Sequence, residues 1–175
     1  MHDTKLKAAA EAENHTLTVL VDNEAGVLAR VAGLFSGRGY NIESLTVAEV
    51  DPMARTSRIT IVTSGTPAVI EQIEAQLRRL VPTHKVTNWT STKGGIEREM
   101  ALVKVAGTGD KRVEALRMAD AFRARPVDTT AASFVFEITG APPKIDSFID
   151  LMRPLGLVEV SRTGVAAISR GPEAM

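Results

Sequence analysis

The chain has 175 residues and 44% hydrophobic content, enough for one medium core or two small ones. Its 21 basic and 21 acidic residues cancel to zero formal charge, which argues against a nucleic-acid footprint, and no apolar run approaches the ~20 residues of a membrane helix. Cysteine is absent, which excludes disulfides, thiolate nucleophiles and thiolate metal sites and fits a reducing cytoplasm.

Residues 1–14, short of large hydrophobes and rich in Lys, Ala and Glu, read as a frayed tail unlike a secretory signal. From His15 to Val21, apolar Leu17, Val19 and Val21 alternate with Thr16 and Thr18, predicting a half-buried strand. Asp22 to Gly26 breaks the alternation, and Val27, Leu28, Val31, Leu34 and Phe35 then recur at helical spacing. Tyr40 to Val50 is the next predicted strand, Asp51-Pro52 a loop, and Ser57 to Thr63 a strand with Ile59 and Ile61 on one face. Thr66-Pro67 opens a second helix buried through Ile70, Ile73, Leu77 and Leu80. A strand over Lys85 to Thr90 precedes the flexible stretch Thr92-Lys93-Gly94-Gly95.

The same order then returns. Arg98 to Val105 reads as a strand, Asp110 to Ala124 as a helix capped by Asp110, and Val127 to Ala131 and Phe134 to Ile138 as strands. Pro143 to Leu155 is a helix with Ile145, Phe148, Ile149 and Met152 on one stripe, and Val158 to Ser161 and Val165 to Ile168 close the chain. The economical fold is α+β: two tandem ferredoxin-like βαββαβ domains, residues 15–92 and 96–171, each an antiparallel sheet with both helices on one face.

The strand-to-helix turn is the candidate site. A helix starting beside Gly26 presents unpaired amide hydrogens, and with its dipole favours an anion such as an amino-acid carboxylate. Gly26 lets a ligand approach the backbone or lets the chain take positive φ. Asn23 carries an amide donor and acceptor that suit a zwitterion. The plainer alternative makes Asn23 a helix cap and Gly26 an ordinary turn residue.

Catalysis lacks comparable support. His2, His15 and His84 fall in a tail or at strand edges, and Glu71, Glu74, Glu97 and Glu99 fall on expected solvated faces or at a domain edge, with no catalytic pair among them. Gly107-Thr108-Gly109-Asp110 has Arg112 where a dinucleotide fingerprint needs its third glycine. An RNA-recognition module shares the βαββαβ frame, but aromatics are only 4% of the chain, and Tyr40, Trp89, Phe134 and Phe136 are too scattered to form a stacking platform. The phenylalanine pair is expected in the second core.

Four stretches carry a resemblance: Thr16-Leu17-Thr18-Val19-Leu20-Val21, Asn23-Glu24-Ala25-Gly26-Val27-Leu28-Ala29-Arg30-Val31, Arg38-Gly39-Tyr40-Asn41-Ile42-Glu43-Ser44-Leu45 and Arg98-Glu99-Met100-Ala101-Leu102-Val103-Lys104-Val105. Together with the ending Gly164-Val165 to Gly171, the chain resembles the small regulatory subunits of acetolactate synthase, also called acetohydroxyacid synthase. The resemblance implies an ACT domain over 15–92, homodimerisation through it, and a C-terminal domain that docks and activates the large catalytic subunit. It also implies an effector, valine or another branched-chain amino acid, held between two copies. Asn23, Gly26, Val27 and Leu28 would form one wall, and Asn41 and Ile42 of the neighbouring copy the other. Thiamine diphosphate, Mg²⁺ and FAD are expected on the large subunit, with no cofactor, metal or catalytic residue on this chain. Neither nucleic acid nor membrane is an expected partner, and the cytoplasm is the expected location.

Overall fold

The computed structural model describes residues 12–92 and 94–175; His2, most of the expected tail and Lys93 lie outside the described residues. Glu13 and Asn14, read as tail, instead begin the first strand. The chain divides into two compact units, one running to Gly95 and one spanning Ile96–Arg170.

The first unit runs β1 (Glu13–Asp22), α1 (Val27–Arg38), β2 (Ser44–Asp51), β3 (Thr56–Gly65), α2 (Pro67–Arg79) and β4 (Thr83–Asn88). Its sheet order is β2-β3-β1-β4, antiparallel throughout, with β2 at one edge. Leu17 pairs with Ile61 and Val19 with Ile59, and all four are at most 1% exposed. They pack with Val27, Val31 and Phe35 of α1 and Ile70, Ile73 and Leu77 of α2. Burial of each such side chain contributes about 1.5–3 kcal/mol, so this one layer holds the helices to the sheet.

Two expectations for this unit are corrected. Strand β1 is buried on both faces: Thr16 and Thr18 are 5% and 0% exposed. The cause is a short helix α3 (Trp89–Thr92) that replaces the end of the expected Lys85–Thr90 strand and lies on β1. The Trp89 indole N–H donates to Thr18 Oγ1 at 2.8 Å, and Thr18 Oγ1 lies 3.3 Å from Thr60 Oγ1, so the buried hydroxyls are satisfied. Strand β2 begins at Ser44 rather than Tyr40. Gly39 ends α1 in the left-handed region at φ 69°, and the Tyr40 amide bonds back to the Phe35 carbonyl at 3.0 Å, so the chain is still turning there.

The second unit runs β5 (Gly95–Ala106), α4 (Gly109–Phe122), β6 (Arg125–Thr129), β7 (Ser133–Gly140), α5 (Pro142–Met152), β8 (Leu157–Arg162) and β9 (Ala166–Ser169). Its sheet order is β6-β7-β5-β8, with β9 also pairing β5. Phe134 and Phe136 pack in this core at 4% and 0% exposure, beside Ala101, Val103, Phe148 and Met152. The first helix of the unit has Thr108, not Asp110, at its cap; Asp110 lies in the first turn, where its charge favours the dipole. The last helix stops at Met152 and continues as a 3-10 turn, Arg153–Leu155, to Gly156 at φ 106°. A β-carbon at Gly156 would lie 2.0 Å from the Ala106 carbonyl oxygen, so only glycine fits.

Glu99 also departs from expectation. Its side chain is 2% exposed, and both carboxylate oxygens accept from Arg162, whose Nη1 also donates to Asp146 at 2.7 Å. Hydrogen bonding to Glu99 raises the Arg162 pKa further, so the guanidinium stays charged. His15 is likewise buried, against Asn88, which donates to Glu74 at 2.8 Å.

Candidate functional site

The turn between β1 and α1 is held by backbone bonds from two sides. The Asp22 amide donates to the Pro82 carbonyl at 3.2 Å and the Asn23 amide to the Arg55 carbonyl at 2.7 Å. Gly26 occupies the helix N-cap in the left-handed region, φ 87° and ψ −6°, a conformation that costs a residue with a β-carbon about 1–2 kcal/mol. No side chain caps the helix. Asn23 therefore does not serve as the cap, the plainer reading of the sequence. The Val27 amide makes a long 3.4 Å turn bond to the Glu24 carbonyl, and the first regular helical bond runs from Arg30 to Gly26. Among the described residues, the amides of Leu28 and Ala29 have no backbone acceptor. An exposed helix N-terminus with free donors and no carboxylate in its first turn suits an external anion.

Asn23 is exposed, and its Nδ2 donates to Glu49 Oε1 of β2 at 3.0 Å. That bond orients the amide and leaves Oδ1 as an acceptor toward solvent. Glu49 had no signal in the sequence: it lies 26 positions away and reaches the turn only because β2 folds back along β3. Gly26 is exposed with nothing within 4 Å of where a β-carbon would stand; Val27 is buried in the core, and Leu28 is 43% exposed.

Asn41 and Ile42 lie beyond the other end of α1. Asn41 is exposed, and its carbonyl accepts from Thr63 Oγ1 at 2.6 Å, which fixes the backbone and leaves the side-chain amide outward. Ile42 is half-buried against the first core. Twelve helical residues rising 1.5 Å each separate the two groups by about 18 Å. Within one chain the structure thus brings Asn23, Gly26, Val27 and Leu28 together and holds Asn41 and Ile42 apart from them. No ligand of amino-acid size touches both sets on a single chain.

Among the described residues, no group of His, Asp and Glu side chains is arranged to hold a metal ion, and no helix is long and apolar enough to cross a membrane.

A β2-β3-β1-β4 antiparallel sheet backed by two helices, with an exposed glycine-led helix start, defines the first unit as an ACT domain; residues 17–85 match the family described as AHAS small subunit-like ACT domain. Residues 98–171 match the family described as small subunit of acetolactate synthase. A probable acetolactate synthase small subunit of Archaeoglobus fulgidus is 48% identical over 159 residues, 90% of this chain and 97% of that protein. The acetolactate synthase isozyme 3 small subunit of Escherichia coli is 44% identical over 160 residues, covering 91% and 97%. The crystal structure of the acetolactate synthase small subunit from Thermotoga maritima superposes with a TM-score of 0.79 at 38% identity, covering 92% of this chain and 99% of that one. The chain belongs to the acetolactate synthase small-subunit family.

Proposed function

We propose that this chain binds the large catalytic subunit of acetolactate synthase, raises its activity, and passes on feedback inhibition when a branched-chain amino acid, foremost valine, occupies the ACT domain. The observation that carries the effector reading is the uncapped start of α1 at Gly26, with the Leu28 and Ala29 amides available for a carboxylate. Asn23 Oδ1 would accept from the ammonium group. Leu28 and, from a second copy, Ile42 would form an apolar cup for the side chain, with Asn41 completing the polar grip. The separation of the two walls along α1 favours a homodimer in which each site draws on both chains. Edge strand β2, with Val47 and Val50 45% and 47% exposed, is the natural seam.

An effector lodged across two copies senses their relative placement. It shifts the assembly by the difference in its affinity for the two arrangements, a coupling of about 1–3 kcal/mol in typical systems. The second unit, residues 96–171, is the proposed activating domain. Thiamine diphosphate, Mg²⁺ and FAD belong to the large subunit in this reading. The isolated chain makes no acetolactate and works in the cytoplasm beside its catalytic partner.

Calorimetric titration of the chain with valine, leucine and isoleucine, with alanine as control, tests the sensor, and reconstitution with the large subunit tests the coupling. Ligand at a hundredfold its dissociation constant adds about 2.7 kcal/mol to stability, a clear rise in melting temperature. A folded dimer that binds none of the three, with a reconstituted enzyme indifferent to them, would sink the sensing role. A catalytic rate unchanged by the chain would sink the activating one.

A further inference from the structure

The two helices of the first unit leave a groove of about 530 Å³ between them, lined by Arg30, Leu34 and Arg38 of α1 and by Gln76, Arg79 and Leu80 at the end of α2. Arg30 Nη1 donates to the Val81 carbonyl at 3.1 Å and Tyr40 Oη to Gln72 Oε1 at 3.3 Å, so the helices run antiparallel, the start of each beside the end of the other. Arg30, Leu34 and Arg38 recur every four residues and form one stripe about 12 Å long. Arg79 lies at the Arg30 end. The groove therefore has a half-buried leucine floor and positive charge at both ends.

None of the six lining residues is acidic. Arg78, next in sequence, is neutralised by Glu74 at 2.7 Å, whereas Arg38 and Arg79 are exposed and have no hydrogen-bond or ion-pair partner among the described residues. The helix dipole accounts for Arg38 and Arg79, which stand in last turns. It does not account for Arg30, which stands near the positive end of α1 and is pinned to the groove by the Val81 carbonyl. Three arginines around two leucines match an acidic segment with apolar residues between its carboxylates. A small anion is too short to engage both ends of a 12 Å stripe.

We infer that this groove docks an acidic segment of the large catalytic subunit, with carboxylates about two helical turns apart reaching Arg38 at one end and Arg30 with Arg79 at the other. The inference rests on the proposed pairing with that subunit and adds a contact on the ACT domain to the one assigned to the second unit.

The test measures association of the full-length chain with purified large subunit at low and high salt. Arg38→Glu/Arg79→Glu should weaken association at least tenfold at low salt, with the gap to the parent narrowing as salt rises. Arg38→Gln/Arg79→Gln, milder and placed at exposed positions that the fold tolerates, should show a smaller loss in the same direction. Valine binding by both variants should match the parent, showing that the domain is intact. Variants that associate within twofold of the parent overturn the groove and leave the proposed function standing. A parent chain that does not associate at all overturns the proposed function itself, and the groove's assignment with it.

Discussion

The side-chain amide of Asn23 donates to the carboxylate of Glu49 across 3.0 Å, tying the turn ahead of α1 to the exposed edge strand β2. The element that would meet the effector and the element at the proposed dimer seam therefore share a bond. In the proposed dimer, a ligand that drew Asn23 toward itself would pull on β2 through Glu49 and so would link occupancy to the arrangement of the two copies.

Glu49→Ala frees Asn23 without removing it. The expected outcome is a three- to tenfold loss of valine affinity by calorimetry, the size of one exposed polar interaction that orients its partner. Adding Asn23→Ala should cost no more than Asn23→Ala alone, because the two side chains act as a unit. Fully additive losses would show that Glu49 acts elsewhere.

Gly26→Asp places a side chain and a negative charge at the uncapped helix start. Nothing lies within 4 Å of the added β-carbon, so the stability loss should stay near the ~1–2 kcal/mol of the left-handed conformation while valine binding falls at least a hundredfold. Gly26→Asn, which tolerates the same backbone and lacks the charge, should retain more affinity. Parental valine binding by a folded, dimeric Gly26→Asp protein would show that the carboxylate sits elsewhere.

Asn41→Ala leaves intact the backbone carbonyl that accepts from Thr63, so melting should move by less than ~0.5 kcal/mol equivalent. In the reconstituted enzyme, the valine concentration for half inhibition should rise while activation stays near the parental level. Lost activation with unchanged feedback would reverse the assignment of the two roles to the two units.

Arg162→Ala strands the Glu99 carboxylate at 2% exposure with no cation beside it. The expected cost is about 3–5 kcal/mol, typical of breaking a buried pair from one side. Replacing both, as Glu99→Gln/Arg162→Met, should recover much of that loss. A denaturant midpoint for Arg162→Ala equal to the parent's would mean that solvent reaches Glu99 in the variant.

The order of elements was legible because it rests on period: Leu17, Val19 and Val21 at two, Val27, Val31 and Phe35 near four. The helix start at Gly26 was legible because glycine after a strand is itself a backbone statement. Contacts between distant positions were not. Trp89 continued the β4 pattern in sequence, yet its indole finds Thr18, 71 residues away, and the chain bends into a helix to reach it. Glu99 read as a solvated charge because its neutralising partner, Arg162, is 63 residues downstream. In each case one residue's environment is set by a segment more than sixty positions away in the chain.

The bond from Trp89 to Thr18 also makes the first unit visible on its own. The chain has a single tryptophan, 6% exposed and fixed against the central strand of the ACT domain, while four of the five phenylalanines lie in the second unit. Ultraviolet emission excited at the red edge thus comes from one half of the molecule. Compared with far-ultraviolet dichroism, which averages over both halves, it separates melting of the ACT domain from melting of the second unit in a single unlabelled sample.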